Sequence, residues 1–309
     1  MISVVIPTYN NEDTIGRAIT SVASQTYHDW QVVIVNDCST DNTLKFIQDN
    51  FKVYYKDKIK IISNSENMGA GVSRKIGVDN ADGEFVIFLD SDDYLIPNCL
   101  EVSLDLQKQQ DADVVYTDAI IYFDQNRSWH HNVPNCVMEG KISPTLHINC
   151  TKKWLTGKMF RTELLKRTPM SPKRIAEDTN TLFYACYLAK TVRSCPYCGY
   201  VHVYRPNSLL GLNDRPFYYY CLSALCDFEM ADFLLDHKDE NTFYKFIMMP
   251  YINYLSHVEK IKSGLISGEE LEESKDMWKT IREWYMSRKD DIEIKCDIEN
   301  RLKQMNIKR

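Results

Sequence analysis

At 309 residues, 44% hydrophobic and 26% charged, the chain has the make-up of a folded globular protein with room for one large domain and an appendage. Its net charge of -6 excludes a general electrostatic pull toward nucleic acid or anionic membrane, while leaving room for a local basic face. No apolar run approaches the roughly 20 residues that a bilayer span requires, and Met1 leads straight into Ile2-Ser3-Val4 with no leader pattern, so a cytoplasmic protein is expected (host cytoplasm if viral).

The first third alternates strand and helix patterns. Residues 3–7 are a β-branched strand, and residues 12–25 place Ile15, Ala18, Ile19 and Val22 at helical spacing. Residues 30–35 form a second apolar strand, and a helix follows from Asp41 with Leu44, Phe46 and Ile47 on one face. Residues 58–63 are a third strand, 68–81 a helix opened by Gly69 and Gly71, and 84–89 a fourth strand. Strands that are apolar throughout, separated by helix-length segments, predict an α/β fold: a mostly parallel Rossmann-like sheet flanked by helices. Ligands of such sheets bind at the carboxyl ends of the strands. Four polar clusters fall there: Pro7-Thr8-Tyr9-Asn10, Asn36 to Asp41, Asn64 to Gly69, and Asp90-Ser91-Asp92-Asp93.

The middle is less regular. Residues 112–123 read as a strand pair or one long strand, 126–149 as loop with His130, His131 and His147, 154–167 as containing a helix, 179–190 as a helix and 192–204 as a strand. From 216 onward the pattern is helical and Tyr-rich. The expected organisation is a catalytic domain over 1–215, with halves at 1–100 and 101–215, and a helical C-terminal extension over 216–309. The ten cysteines are expected to be free thiols; Cys195, Cys198, Cys221 and Cys226 are a weak zinc alternative.

The acidic clusters suggest chemistry. Expelling a nucleotide diphosphate develops charge that a divalent cation stabilises, and Mn²⁺ or Mg²⁺ takes hard oxygen ligands. Asp90 and Asp92, two apart after an apolar strand, share a side; the plainer alternative is a solvated turn before the next helix. An attacking hydroxyl needs a carboxylate base, and Glu177-Asp178 stands at a helix start, where capping would also place it. Asp37 suits a base or ribose contact, Asp41 suits an N-cap, and Arg74 has the reach for phosphate.

These stretches resemble family 2 glycosyltransferases of the A-type fold. The resemblance is carried, in register, by Val4 to Asn10, Ser21 to Thr26, Val35 to Asp41, Asn67-Met68-Gly69, Ala81 to Phe85 and Phe88 to Asp93. It is looser over Trp154 to Arg161, Ala176 to Thr179 and Tyr204 to Leu209. It implies that Pro7, Thr8, Tyr9, Asp37, Asn67, Gly69, Arg74, Asp90 and Ser91 contact the donor, with Tyr9 stacking on the base and Asp37 bonding it. It implies Asp92 and Asp90 as metal ligands, Asp178 as the base of an inverting displacement, and Asp93, Trp154, Lys158 and Glu177 as sugar or acceptor contacts; Asp93 is alternatively a turn former. Lys75 departs from the family's frequent Asn. The function expected is transfer from a nucleotide-diphosphate sugar, UDP favoured, to a saccharide hydroxyl. The alternatives are a bacteriophage enzyme acting on hydroxymethylated DNA bases and an inactive nucleotide-sugar-binding module. DNA binding would call on Lys52, Lys56, Lys58 and Lys60; or Lys152-Lys153, Lys158, Arg161, Lys166 and Arg167; or Lys303 and Lys308-Arg309, all otherwise ordinary charged surface.

Overall fold

The computed structural model describes residues 1–123, 128–132, 154–171, 177–204 and 217–299. Strands β1 (Ile2–Thr8) and β2 (Trp30–Asn36) are buried at every position. Both faces are covered, so these segments are continuously apolar instead of alternating. Successive side chains still go to opposite faces: Val4, Ile6, Val32, Ile34 and Ile87 enter one core, and Val5, Val33, Val86 and Phe88 the other. Strand β3 (Ile59–Ser63) pairs with β2, and β4 (Phe85–Phe88) with β1, all parallel. The crossovers are α1 (Ile15–Ala23), α2 (Thr43–Ile47) with a π-helical turn over Gln48–Lys52, and α3 (Ala70–Asp79).

Beyond β4 the sheet is mixed. Strand β8 (Lys158–Arg161) lies antiparallel between β4 and β6 (Val114–Phe123), and β9 (Val192–Tyr204) runs parallel to β6. The short β5 (Tyr94–Leu95) pairs antiparallel with β9. Helices α4 (Cys99–Gln110), α5 (Thr162–Arg167) and α6 (Glu177–Leu188) complete this part. One sequence expectation changes. Residues 128–132, expected as loop, form β7 (Ser128–Asn132), antiparallel to β6; Ser-Trp-His-His-Asn has no apolar alternation, and its pairing with β6 supplies the strand. Residues 154–167, expected to contain a helix, hold α5, preceded by a buried central strand over Lys158–Arg161 too short for its period to be read.

The chain divides into two compact units, Met1–Gly211 and Leu212–Arg309. The second holds α7 (Phe217–Asp236), α8 (Glu240–Lys262), α9 (Gly268–Glu273) and α10 (Lys275–Lys295). Its core is aromatic: Phe228 stacks on Trp284 at 4.3 Å, and Tyr254 on Tyr285 at 4.5 Å. Cys221 and Cys226 are buried free thiols on α7, burial pushing Cys221 up to about 12, and Cys198 is a free thiol on β9; the Cys195 side chain is outside the described residues. No described helix is long and apolar enough to cross a membrane.

One close approach brings α3 against the start of α6. At the N-terminus of α3, Gly69 has φ +89°. A Cβ on Gly71 would lie 2.3 Å from the Ser171 carbonyl oxygen and 3.1 Å from Glu177 Cγ. Only glycine lets α3 come this near residue 171 and the first turn of α6. Gly71→Ala is therefore expected to lower stability by about 1–3 kcal/mol, the cost of forcing an extra carbon into packed structure. A urea midpoint equal to the parent's would refute this.

Candidate active site

The crevice is built from loops at the carboxyl ends of β1, β2, β3 and β4. Asn10 (φ 52°) and Cys38 (φ 61°) take the left-handed conformation there. The Asn10 amide N–H donates to Ser39 Oγ at 3.0 Å, and Asn10 Oδ1 accepts from the Thr40 N–H at 2.8 Å, tying the first two loops together. Asn11 Oδ1 accepts from Ser91 Oγ at 2.8 Å and from the Tyr9 N–H at 3.2 Å, joining the first loop to the fourth. Asp37, 4% exposed, accepts from Asn64 Nδ2 and the Met68 N–H at 2.8 Å and from the Gly69 N–H at 2.7 Å. Two donors fall on Oδ1 and one on Oδ2, so one acceptor position of this carboxylate is left over. Asp41 accepts from the Thr43 N–H at 3.0 Å, but the N-cap of the helix that starts at Thr43 is Asn42, so Asp41, expected as the cap, stands one residue before it.

The acidic turn divides its labour. Asp90, Asp92 and Asp93 bring oxygens within 4.8 Å of one another, the one group of potential metal ligands found among the described residues. Asp93 is fully buried and accepts from the Tyr200 hydroxyl, from the Val203 N–H at 2.8 Å and, on the same oxygen as Tyr200, from His202 Nδ1 at 3.1 Å. Burial would lower the His202 pKa, but the bond and charge of Asp93 raise it above the ordinary histidine value. Burial, then Asp93, raises Tyr200 well above the tyrosine range. Asp93 thus fastens the turn to β9. Asp90 and Asp92, both half-buried, are left facing the crevice.

Arg74, buried on α3, links this turn to the helix start opposite. Its Nη2 donates to Asp90 Oδ1 at 2.9 Å; its Nη1 donates to Asp178 Oδ1 at 2.5 Å and Glu177 Oε1 at 3.3 Å. Burial lowers the Arg74 pKa, but Asp178, then Asp90 and Glu177, more than reverse this and hold the guanidinium charged. Burial raises the Asp90 carboxyl to about 7 against the pull of Arg74, with Asp93, Asp178 and Asp92 adding to the rise. Burial and then Asp178 raise Glu177. One cation among this many carboxylates leaves excess negative charge, and oxygens of Asp90 and Asp92 form a hard donor set suited to Mn²⁺ or Mg²⁺.

The remaining expected residues are spread around the crevice and the core. Thr8 and Pro7 are buried at the end of β1, while Tyr9 is 44% exposed with its ring available. Asn67 and Gly69 lie on the loop gripped by Asp37. Arg74, expected at phosphate, is engaged with carboxylates. Lys158, expected to meet sugar or acceptor, is 4% exposed and points inward. Trp154 lies 5.4 Å from His202, ring to ring. The basic-track candidates are largely occupied: Arg161 pairs with Glu84, Asp111 and Asp113, Lys166 with Glu163, and Lys52, Lys58 and Lys60 donate to backbone carbonyls. Residues 152–153 and 300–309, His147 and the motif portions at 176 and 205–209 lie outside the described residues. The sequence reading missed Asn11, Tyr200, His202 and Arg17, whose guanidinium donates to the Asp92 carbonyl oxygen. Tyr200 and His202, two apart on β9, carried a face signal, but nothing showed that the face met the acidic turn.

The sequence model of Glycosyl transferase family 2 matches residues 3–169. The chain is 30% identical over 174 residues to the Escherichia coli UDP-Glc:alpha-D-GlcNAc-diphosphoundecaprenol beta-1,3-glucosyltransferase WfgD, covering 56% of this chain and 62% of that one. It is 36% identical over 116 residues to the Staphylococcus aureus poly(ribitol-phosphate) beta-N-acetylglucosaminyltransferase TarS, covering 37% and 20% respectively. The aligned part is thus less than two thirds of either relative's length. The crystal structure of S. aureus TarS 1-349 in complex with UDP-GlcNAc superposes with a TM-score of 0.66 at 22% identity, covering 91% of this chain and 79% of that one. The fold is the A-type glycosyltransferase fold.

If Asp93 anchors the turn, Asp93→Ala strips three buried donors of their acceptor and lowers stability by about 3 kcal/mol or more. Half-buried Asp92 tolerates Asp92→Ala far better. Equal unfolding midpoints for the two variants would contradict this division.

Proposed function

We propose, for a chain that belongs to glycosyl transferase family 2, that it is a metal-dependent inverting hexosyltransferase using a UDP-sugar. The observation that carries the reading is the Arg74 fork, which bonds Asp90 of the acidic turn and Asp178 of α6 across one crevice. In this reading the nucleotide base stacks on the exposed Tyr9 ring and bonds the remaining acceptor position of Asp37. Asn67, Gly69 and Ser91 complete the donor wall, and Asp90 reaches the ribose or the metal.

Asp92 and Asp90 would hold Mn²⁺ or Mg²⁺, which when bound supplies charge neutralisation for the departing diphosphate. Asp178 is the general base. Its Oδ1 is held by Arg74, and among the described residues its Oδ2 accepts only a long bond, 3.3 Å, from the Leu155 N–H, so Oδ2 has room for a proton. As the acceptor hydroxyl oxygen bonds the anomeric carbon, its proton passes to Asp178 Oδ2. The bond from that carbon to the diphosphate oxygen breaks on the opposite face, and configuration inverts.

The acceptor proposed is a hydroxyl of a saccharide or cell-surface polymer. Support comes from the relatives, whose names specify a lipid-diphosphate-linked GlcNAc and a poly(ribitol-phosphate) as acceptors. The engagement of Arg161, Lys166, Lys52, Lys58 and Lys60 weighs against a DNA track.

With UDP-sugar, Mn²⁺ and a saccharide acceptor, Asp178→Asn is expected to reduce turnover by about 10²–10⁴-fold while UDP affinity holds, since only proton transfer is lost. Asp92→Asn is expected to remove metal-stimulated UDP binding as well as turnover. Parent-like turnover in both variants would overturn the assignment, and a parent that turns over no UDP-sugar would favour a binding module.

A further inference from the structure

Lys158 opens β8 and has its ammonium sealed inside. Lysine is almost never fully buried without a partner carboxylate, because desolvating the charge is expensive. Among the described residues no carboxylate lies within ion-pair distance of Lys158. Its Nζ donates instead to two carbonyl oxygens of the turn just before it, Trp154 at 2.5 Å and Thr156 at 3.4 Å, and lies 4.9 Å from the centre of the Tyr116 ring. Gly157, at φ +69°, lets the chain reverse tightly enough for this. The Leu155 N–H, on the same peptide as the Trp154 carbonyl and directed away from it, donates to Asp178 Oδ2 at 3.3 Å.

Resting on the transfer reaction proposed above, we propose that Lys158 is a positioning residue for the base: it folds the 154–158 turn around its ammonium so that the Leu155 amide fixes the second oxygen of Asp178. The base carboxylate is then held from both sides, by Arg74 at Oδ1 and by the turn at Oδ2. With only the first contact it swings on Arg74, and the oxygen that takes the proton loses its aim. Donor-binding residues lie on other loops, so the effect falls on turnover and not on donor affinity.

The groups that face the ammonium are Asp178 and Cys186 on α6 and Tyr116 on β6, whose hydroxyl is 3.0 Å from Cys186 Sγ. Burial lowers the Lys158 pKa to about 8, with Cys186 and Asp178 opposing the fall.

The test compares the full-length parent with Lys158→Met and Lys158→Gln. Three readouts are taken: kcat, UDP affinity and hydrogen exchange at the Leu155 amide. Lys158→Met is expected to keep UDP affinity, lose kcat by about 100-fold and expose the Leu155 amide to exchange. Lys158→Gln, whose amide still donates to a carbonyl, should retain more protection and more turnover; it also carries the test if the Met variant does not fold. Parent-like kcat in Lys158→Met overturns the proposal, as does a parallel loss of UDP affinity and kcat in both variants. A parent that transfers no sugar removes the functional reading alone. In that case Leu155 exchange still decides the turn: equal protection in all three proteins overturns the positioning role, and faster exchange in Lys158→Met upholds it.

Discussion

The geometry of this crevice depends on one buried guanidinium held between carboxylates from distant parts of the chain. Arg74 reaches Asp90, 16 residues away, and Glu177 and Asp178, 103 and 104 residues away. A planar fork carries its five donors on separate nitrogens, so Nη2 and Nη1 serve the two sides individually, where an ammonium offers a single nitrogen. The arrangement is a poor way to gain stability, since taking these charges out of water costs about as much as their attraction returns. Its consequence is geometric: the acidic turn after β4 and the start of α6 are held at one separation. Gly71 makes this possible by letting α3 approach residue 171 and Glu177.

A second constraint keeps the acidic turn rigid. Asp93 gives both carboxylate oxygens to β9, so its neighbours Asp90 and Asp92 are presented from a fixed base. Three carboxylates bond Arg74, and Asp92 and Asp93 lie beside one of them, Asp90. That negative excess suits a crevice which binds a divalent cation before a diphosphate, and it opposes binding of the diphosphate alone. In the proposed reaction both the leaving group and the base are therefore oriented through packed side chains and not through mobile loops.

Much of this was legible in the residues, for a definite reason. Strands buried on both faces are apolar throughout, so β1, β2 and β4 stood out, and the polar clusters at their ends marked the crevice. Asp37, Asp90, Asp92 and Asp178 stand at or beside the strand-end clusters and helix start that the residue pattern singles out. What stayed hidden depends on tertiary facing. Lys158 sits on a four-residue strand with no wet face, so no period showed that its ammonium turns inward. Asp93 looked like its neighbours because its partners, Tyr200 and His202, are more than a hundred residues away. Arg74 was assigned to phosphate because a cation one turn into a helix has reach in any direction, and only the approach at Gly71 decides which.

The central claim is that a two-sided fork, and not merely a positive charge, sets the separation of donor turn and base. It is tested most directly by the kcat of Arg74→Lys in sugar transfer at saturating donor and metal. Lysine keeps the charge but offers one nitrogen where Arg74 uses two, Nη2 for Asp90 and Nη1 for Asp178, so kcat is expected to fall by about 100-fold, the penalty of a misplacement near 1 Å, in a protein that still folds. A folded Arg74→Lys variant with the parent's kcat would contradict the account.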